Sequence, residues 1–306
     1  METLEEARKP AKGFSAAKLP VSVIIPVRNE ARNLPRCLQA LTDVGEVYVI
    51  DSQSTDETVE IARLHGAQVV QFHYQGGWPK KRQWAMDTLP ISNDWVFLLD
   101  ADEVLTPELA EEIRQAIQNP DVDGYAIRLR ICFLGRVLRH GDVGLWKMSL
   151  FRHGRGRYEC RLMDQDASMA DMEIHEHVVV NGATAKLRNP LAHHNVDSLS
   201  RYIQKHDEYS NWESTVLLQA GYDKDLPPSL FGTQAQRRRW LKRKLYALPG
   251  SSVLLFLYRY FFRLGFLDGV PGLIYCGFQA VQMFHTKAKI YELKLKTQRE
   301  ENTGRK

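Results

Sequence analysis

Short apolar runs alternate with segments of helical spacing through the N-terminal third of the chain. The runs have the β-branched content of buried strands, and they are Ser22–Val27, Glu46–Ile50, Gln68–Phe72 and Asp94–Leu99. Apolar residues spaced three or four apart predict helices between and after these strands, at Leu34–Leu41, Ser54–Leu64, Lys80–Thr88 and Thr106–Ile117. Ser54 and Glu57 are expected to form a capping box at the second helix. This alternation predicts an α/β fold with a mostly parallel, doubly wound sheet.

The pattern changes to period two at Gly124, where apolar residues occupy every second position from Tyr125 to Ile131. Later short runs at Met148–Arg152 and His177–Val180 are also typical of strands. Residues 124–189 are therefore expected to form a mixed, partly antiparallel half of the sheet. Ser198 is expected to cap a helix that follows.

The last part of the chain is basic and aromatic. It has no acidic residue between Asp225 and Asp268, whereas its basic residues include Arg237, Arg238, Arg239, Lys242, Arg243 and Lys244. Its apolar stretches are shorter than the ~20 residues of a spanning helix. Residues 226–296 are therefore predicted to be an amphipathic helical segment on an anionic membrane surface, followed by a polar tail at 297–306. The alternative is a basic helix packed on the catalytic domain.

Composition excludes several classes of protein. The 306 residues carry 41 Lys+Arg against 37 Asp+Glu, and a net charge of +4 is too small to indicate nucleic acid binding. The four cysteines form no C-x-x-C pair, so neither a disulfide framework nor a thiolate zinc site is expected. The N-terminus lacks an apolar run of signal-peptide length, so we expect the protein in the cytoplasm.

Acidic residues follow the fourth predicted strand directly. In extended backbone, Asp100 and Asp102 point to the same side, where both carboxylates could hold one ion. Mg²⁺ and Mn²⁺ prefer oxygen ligands and leave positions open for diphosphate oxygens. The alternative is an acidic surface turn before the next helix.

Two other strands also end in polar residues. Asp51 ends the second strand, and Pro26, Asn29 and Glu30 lie at or just beyond the end of the first. The carboxyl ends of parallel strands form the ligand-binding edge of such sheets. Asp51 could accept a hydrogen bond from a nucleobase, or it could simply form the turn before Ser54. No G-x-G-x-x-G follows the first strand and no P-loop motif is present, which disfavours classical dinucleotide and P-loop sites.

These residues, in this order, resemble the family 2 glycosyltransferases of the GT-A fold. The resemblance is carried by SVIIPVRNEARNL, VYVIDSQSTDET, GGWPKKRQWAM and DWVFLLDADE, and it covers roughly Pro20–Asp207. Within the family the chain is most similar to bacterial enzymes that add a sugar to lipopolysaccharide core or a related envelope glycan. The resemblance implies a flexible tail at 1–20 and a GT-A domain at 21–225, with a nucleotide-sugar half at 21–123 and an acceptor half at 124–225.

The resemblance also implies roles for individual residues. Pro26, Asn29 and Glu30 would contact the donor nucleoside, and Asp51 would bind the base. Asp100 and Asp102 would hold ribose and a metal-bound diphosphate. The basic residues Lys81 and Arg82 would lie near the phosphates, although Lys81 replaces a more usual Gln and Gln83 a more usual Asn.

An inverting transfer needs a carboxylate that takes the proton of the acceptor hydroxyl. The candidates are Glu159, Asp164, Asp166, Asp171, Glu173 and Glu176. We favour Glu176, because Ile174-His175-Glu176 matches the family's His-Glu pair and leads into a strand. The alternative is an edge-strand carboxylate in a solvated turn.

Histidines and aromatic residues give weaker signals. The His175-x-His177 and His193-His194 spacings could suit zinc, but no further ligand group is evident and zinc is not expected. His193 or His194 could contact the diphosphate or its metal. Trp78, Trp146 and Arg152 could bind the acceptor sugar.

The sequence therefore predicts a metal-dependent inverting transferase that moves a hexose from a nucleotide-sugar, with a UDP-sugar as the expected donor, to a lipid-linked or envelope glycan. The expected cofactor is Mg²⁺ or Mn²⁺. The expected location is the cytoplasmic side of the bacterial inner membrane, with peripheral attachment. Two alternatives stay open, a nucleotidyltransferase and a non-catalytic membrane-bound scaffold.

Overall fold

The computed structural model describes residues 18–163, 171, 173, 176–194, 198–218 and 225–303. Its N-terminal half is built on parallel strands in the order β3-β2-β1-β4. They are β1 (Leu19–Val27), β2 (Val44–Asp51), β3 (Gln68–Gln71) and β4 (Trp95–Leu98). All four lie where the sequence predicts them. However, β1 begins at Leu19, inside the predicted tail.

Four helices cover these strands, namely α1 (Leu34–Gln39), α2 (Thr58–Leu64), α3 (Lys81–Thr88) and α4 (Pro107–Ala116). Thr106 caps α4 by accepting the Leu109 N–H, as predicted. The predicted capping box at Ser54 is wrong. Ser54 is not the N-cap, since its hydroxyl is bonded to Asp51 and α2 has Glu57 as its N-cap, with no side-chain cap.

The second half is mixed, which confirms the predicted fold class. Its strands are β5 (Glu103–Val104), β6 (Gly124–Phe133), β7 (Arg136–Val137), β8 (Trp146–Arg152), β9 (Gly156–Tyr158), β10 (Val178–Val180), β11 (Thr184–Lys186) and β12 (Leu191–His194). β8 pairs antiparallel with both β4 and β6, and β12 runs parallel to β6 and antiparallel to β5. β9 and β10 form a separate antiparallel pair.

Apolar side chains pack on both faces of the sheet, which explains why its strands are continuously apolar. On β1, Val23 and Ile25 join the cluster under α1 and α4, whereas Ile24 joins the cluster under α3. Successive residues of a strand point to opposite faces, so one strand supplies both layers.

The C-terminal part is helical, as predicted. It contains α5 (Leu199–Leu218), α6 (Gln234–Ala247), α7 (Ser251–Leu257), a π-helical turn (Tyr258–Phe262), a 3-10 turn (Gly265–Asp268) and α8 (Gly269–Thr303). Helix α8 continues to Thr303, so much of the predicted polar tail is helical. In the described part of the chain, no helix combines the length and apolarity needed to cross a bilayer.

Helix α8 also belongs to the folded core. Tyr275 of α8 and Tyr202 of α5 pack with Phe133 of β6 in a third apolar cluster, with ring centroids 5.5 and 5.7 Å from the Phe133 ring. The C-terminal segment is therefore packed against the second half of the sheet.

Candidate active site

The carboxyl ends of β1, β2 and β4 meet at one edge of the sheet. Val27 pairs with Asp51, and the Leu99 N–H bonds to the Ile24 carbonyl 3.1 Å away. The two turns that follow β1 and β2 are joined by hydrogen bonds. Asn29, which has a φ of +55°, donates its N–H to Ser54 Oγ at 2.8 Å and accepts the Thr55 N–H at 2.8 Å.

Asp51 is fully buried at this edge, and its carboxylate accepts the Ser54 N–H at 3.1 Å and Gln71 Nε2 at 2.9 Å. The carboxylate thus shapes the turn, and its predicted contact with a base stays a prediction. Pro26 is buried inside β1, one residue before the strand ends.

The Glu30 carboxylate is bound by two cations of α5, which follows the second half of the sheet. Arg201 of α5 donates to Glu30 Oε1 at 2.9 Å and to the Asn29 carbonyl at 2.7 Å, and Lys205 Nζ lies 3.7 Å from the same carboxylate. These two cations were missed by the sequence analysis, because no local motif connects α5 with the turn after β1.

Three consecutive basic residues at the start of α3 bind three different acidic positions. Lys80 Nζ lies 3.0 Å from Glu176 Oε2, and Lys81 Nζ lies 3.1 Å from Asp171 Oδ2. The Arg82 guanidinium is paired with the Asp100 carboxylate and donates to the Glu173 carbonyl at 3.1 Å. The start of α3 therefore connects the D-x-D turn with the acidic segment before β10.

Glu173 also explains where α3 begins. Its carboxylate accepts the N–H of Arg82 at 3.2 Å and of Gln83 at 2.9 Å, and the Asp171 carbonyl accepts the Lys81 N–H at 3.0 Å. These are the N–H groups that a helix leaves without internal partners. The acidic segment is therefore the cap of α3.

Lys147 of β8 completes the D-x-D turn. Its ammonium lies 2.8 Å from Asp100 Oδ2 and 2.8 Å from Glu103 Oε2, and Glu103 also accepts the Asp100 N–H at 2.8 Å. Burial alone would raise the pKa of Asp100, but Arg82 and Lys147 hold it well below its usual range. The sequence analysis missed Lys147, whose one local signal is a lysine in a strand of largely apolar residues.

Asp102 and His193 lie together on the other side of the turn. β12 pairs His193 with Glu103, and His193 Nε2 lies 3.3 Å from Asp102 Oδ2. Although burial opposes it, the neighbouring His193 lowers the pKa of Asp102 to about 2. The structure thus brings His193, one of the two predicted late histidines, to the D-x-D turn.

The side chains at the D-x-D turn supply some, but not all, of the ligands that a hard divalent cation needs. Asp102 offers carboxylate oxygen, and His193 Nε2 lies 3.3 Å from Asp102 Oδ2, a separation that two ligands of one ion can have. Both oxygens of Asp100 face cationic side chains, so Asp102 and His193 are the better ligand pair. Among the described residues, no group of three or more His, Cys, Asp or Glu side chains could hold a metal ion.

Glu176 lies just before β10, as expected, but its side chain is fully buried and is not in a solvated turn. Oε2 contacts Lys80, and among the described residues Oε1 has no hydrogen-bond partner. Burial raises the pKa of Glu176 to about 7, with Lys80 opposing and Glu173 adding to the rise. A carboxyl group with this pKa suits general base catalysis near neutral pH.

The other candidate bases are less suited. Glu159 is paired with both Arg239 and His177, and the pKa of this buried carboxyl falls to about 2. Asp171 and Glu173 hold the start of α3. Asp164, Asp166 and His175 lie outside the described residues.

Two sequence predictions about other side chains are wrong. Arg152 lies opposite Trp95, at the amino end of β4 and so at the far edge of the sheet from the site. Arg239 does not lie on a membrane-facing surface, because it is buried and its guanidinium binds Glu159 and the Leu226 carbonyl. Trp78 and Trp146 are half-buried, and Lys186 Nζ lies 4.8 Å from the Trp146 ring.

A family model described as glycosyl transferase family 2 matches residues 22–178, which is more than half of the chain and contains the strand ends, α3 and the D-x-D turn. The chain belongs to glycosyltransferase family 2. The protein is therefore a glycosyltransferase, as predicted.

Named relatives and a solved structure agree with this family. A lipopolysaccharide core biosynthesis glycosyltransferase, LpsC of Rhizobium meliloti, is 26% identical over 90% of this chain and 93% of its own. An uncharacterized glycosyltransferase of Rickettsia prowazekii is 26% identical over 91% of this chain and 89% of its own length. The mannosyltransferase PcManGT of Pyrobaculum calidifontis, solved with GDP-Man and Mn²⁺, superposes with a TM-score of 0.52 at 15% identity over 90% and 89%. This neighbour supports the GT-A fold.

Proposed function

We propose that this glycosyltransferase moves a hexose from a nucleoside-diphosphate sugar to a saccharide hydroxyl of a lipid-linked or envelope glycan, with inversion at the anomeric carbon. The observation that carries the proposal is the start of α3, whose cations contact both the D-x-D turn and the segment that contains Glu176. The similarity to a lipopolysaccharide core transferase over nearly the whole chain supports the acceptor class.

The donor would bind along the edge formed by β1, β2 and β4. Asp51 and the turn at Asn29 and Glu30 would contact the nucleoside. Lys81, Arg82 and Lys147 lie at the same edge and would offset the negative charge of the diphosphate. Because these cations are already paired with carboxylates, they would have to leave those carboxylates, at least in part, to contact the diphosphate of the donor.

Asp102 and His193 would hold Mg²⁺ or Mn²⁺, which supplies positive charge for the departing diphosphate when it is bound. The solved neighbour that contains GDP-Man and Mn²⁺ supports this cofactor class. The base of the nucleotide is open to test, and a UDP-sugar is our expected donor.

Glu176 would accept the proton of the attacking hydroxyl. The Glu176 side chain is fully buried and its carboxylate contacts Lys80, whose ammonium also lies 4.8 Å from the Trp212 ring. The acceptor hydroxyl can therefore contact Glu176 only after the Lys80 side chain moves. Attack from the face opposite the diphosphate converts an α-linked donor into a β-linked product.

The proposed location is the cytoplasmic face of a bacterial inner membrane, where lipid-linked glycans are accessible. The cations of α6 that are exposed, Arg237, Arg243 and Lys244, support attachment to an anionic surface. Arg238 and Lys242 are half-buried, with Asp142 and Glu213 as partners.

The proposal is tested by thermal shift against UDP, GDP and their sugars, each with and without Mn²⁺. Binding to the folded state raises the melting midpoint, so one nucleotide should give a metal-dependent shift in the parent and little shift in Asp102→Asn. Asp43→Asn is the matched control, because Asp43 is exposed just before β2, at the other end of the strands. NMR of the product then reports the anomeric configuration. An equal shift in Asp102→Asn and the parent would reject the metal-dependent site.

A further inference from the structure

The connection between α7 and α8 carries a concentration of exposed apolar side chains, which we call the apolar tip. Its members are Val253, Leu254, Leu257, Phe261, Phe262, Leu264, Phe266, Leu267 and Val270. Phe262 is 80% exposed and Val270 is 68% exposed. Monomeric proteins rarely expose large apolar patches, and such patches mark surfaces that bind a partner or a membrane.

The apolar tip has no exposed acidic residue of its own. Residues 226–267 contain no Asp or Glu. Asp268, which follows, is buried and accepts the N–H groups of Arg139 and His140 at 2.9 and 2.8 Å. Nothing in the sequence of the tip would therefore repel a negatively charged surface.

An excess of positive charge lies beside the tip. Arg238, Arg259 and Arg263 approach the single carboxylate of Asp142 at 3.5, 3.9 and 3.8 Å. Three guanidinium groups around one carboxylate leave a formal charge of +2. Arg263 is half exposed, so it is available to a phosphate group outside the protein.

The tip is also fixed to the catalytic domain. The Gly141 N–H bonds to the Arg263 carbonyl at 2.8 Å, and Arg259 donates to the Gly141 carbonyl at 3.0 Å. Arg136 of β7 donates to the Leu267 carbonyl at 3.2 Å. Because the exposed side chains are held on an ordered turn, little backbone freedom is lost when they are covered.

We propose that the apolar tip inserts into the headgroup region of a bilayer that contains anionic phospholipids, and that Arg263 contacts the lipid phosphates. This proposal rests on the membrane location in the proposed function, but not on the identity of the sugar donor or of the catalytic base. Apolar residues beside a basic surface are the composition of segments that lie in a membrane interface.

Charge favours the bilayer over a second copy of the chain. Two tips that pack against each other in a symmetric dimer would bring the same arginines of both copies together. Like charges at such an interface cost free energy, whereas anionic headgroups would neutralise them.

The test is co-sedimentation of the full chain with vesicles of phosphatidylcholine alone and of phosphatidylcholine mixed with phosphatidylglycerol. We expect binding to the mixed vesicles, with weaker binding to the neutral ones. Phe261→Ser combined with Phe262→Ser should weaken binding at least about tenfold, because two large apolar side chains no longer enter the interface. Arg263→Gln should weaken it about fivefold, since one cation near such a surface contributes about 1 kcal/mol.

Two variants outside the tip serve as controls. Leu64 of α2 is 84% exposed and Arg63 is also exposed, so Leu64→Ser and Arg63→Gln remove matched side chains and should leave binding unchanged. Leu254→Ser with Val270→Ser tests the tip again if the phenylalanine variant folds poorly.

Three results would overturn the proposal. The first is equal binding of the tip variants and the parent to mixed vesicles, and the second is equal binding of the parent to neutral and mixed vesicles. The third is a dimer in sedimentation analysis that dissociates in the tip variants, which would identify a second copy as the occupant. Nucleotide-dependent thermal shifts should be unchanged in the tip variants, so failure here is distinct from failure of the transferase proposal.

Discussion

The buried pair of Glu176 and Lys80 should set the lower pH limit of transfer. A general base acts only when it is deprotonated, and burial raises the pKa of Glu176 to about 7. We therefore expect the rate at limiting acceptor, which reports kcat/KM and the free enzyme, to fall about tenfold per pH unit below this value. Lys80→Met removes the cation that lowers this pKa, so the acidic limb should move to higher pH. The rate is measured from pH 5 to pH 9, a range of about two units either side of that pKa.

Glu176→Gln should lower the rate at saturating substrate by about a hundredfold to ten-thousandfold. Glu173→Gln is the comparison variant, because its amide keeps only one of the two oxygens that accept the Arg82 and Gln83 N–H groups, so it disturbs the same acidic segment while Glu176 stays in place. If both variants lost the same activity, the loss would come from the acidic segment as a whole, and Glu176 would not be the base.

Lys147 should support binding of the diphosphate, because its positive charge lies between the carboxylates of Asp100 and Glu103 and offsets part of their negative charge. In Lys147→Met these carboxylates would repel the donor, and we expect its dissociation constant to rise about tenfold, or about 1.4 kcal/mol. Titration calorimetry with the nucleotide that gives the metal-dependent thermal shift measures this change. Lys186→Met is the control, since Lys186 lies on the Trp146 ring. Unchanged affinity in Lys147→Met would remove Lys147 from the donor site.

The sequence predicted the acids of the site better than their partners. Asp51, Asp100 and Asp102 follow apolar strands, so local pattern places them at the sheet edge. Lys80 and Lys147 are cations whose roles depend on residues 96 and 47 positions away, respectively. Such pairings come from the fold, and a single sequence carries no local signal for them.

A buried ion pair joins helix α6 to the catalytic domain. Arg239 binds Glu159, which also accepts the His177 N–H at 2.8 Å. Arg239→Met would remove the guanidinium from this buried carboxylate, which keeps its contacts with His177, and we expect a loss of about 3 kcal/mol in the free energy of unfolding. Urea denaturation measures this loss, and Arg237→Met, on the exposed face of the same helix, should cost little. Equal stability of the two variants would show that the pair contributes nothing.

The same pair has a pH dependence. Glu159 has a folded-state pKa of about 2, below its ordinary value of 4.5. Its contribution is therefore present above pH 4.5 and is lost as pH falls towards 2. Arg239→Met should remove this part of the acid sensitivity, which urea denaturation at pH 3 to pH 6, about the window of that carboxyl titration, would detect.

At this scale, periodicity predicted the helices but not which of their charges are buried. Within the basic run of α6, Arg239 is the residue that faces the protein interior. The spacing of the charges along the helix does not predict which residue this is. The Ser54 capping box failed for a related reason, because Asp51 competes for the Ser54 hydroxyl. Both errors involve a side chain with a long-range or competing partner.

On the scale of the whole molecule, the C-terminal helices should unfold together with the sheet. The sequence analysis separated residues 226–296 from the catalytic domain because their composition changes. In the structure, however, Tyr275 of α8 is buried against Phe133 of β6. Because an apolar cluster is shared between the two parts, we expect them to form one cooperative unit, in which the change of composition marks a change in surface.

This coupling predicts a single unfolding transition. Tyr275→Ala should lower the free energy of unfolding by about 3 kcal/mol, since a large aromatic side chain leaves the core. Circular dichroism and tryptophan fluorescence should report coincident urea transitions in the parent and the variant. Tyr291→Ala is the matched control on the same helix, because Tyr291 is 66% exposed and its loss should change stability by less than about 0.5 kcal/mol. Two separate transitions, with only one affected by Tyr275→Ala, would instead show that the C-terminal helices fold independently of the sheet.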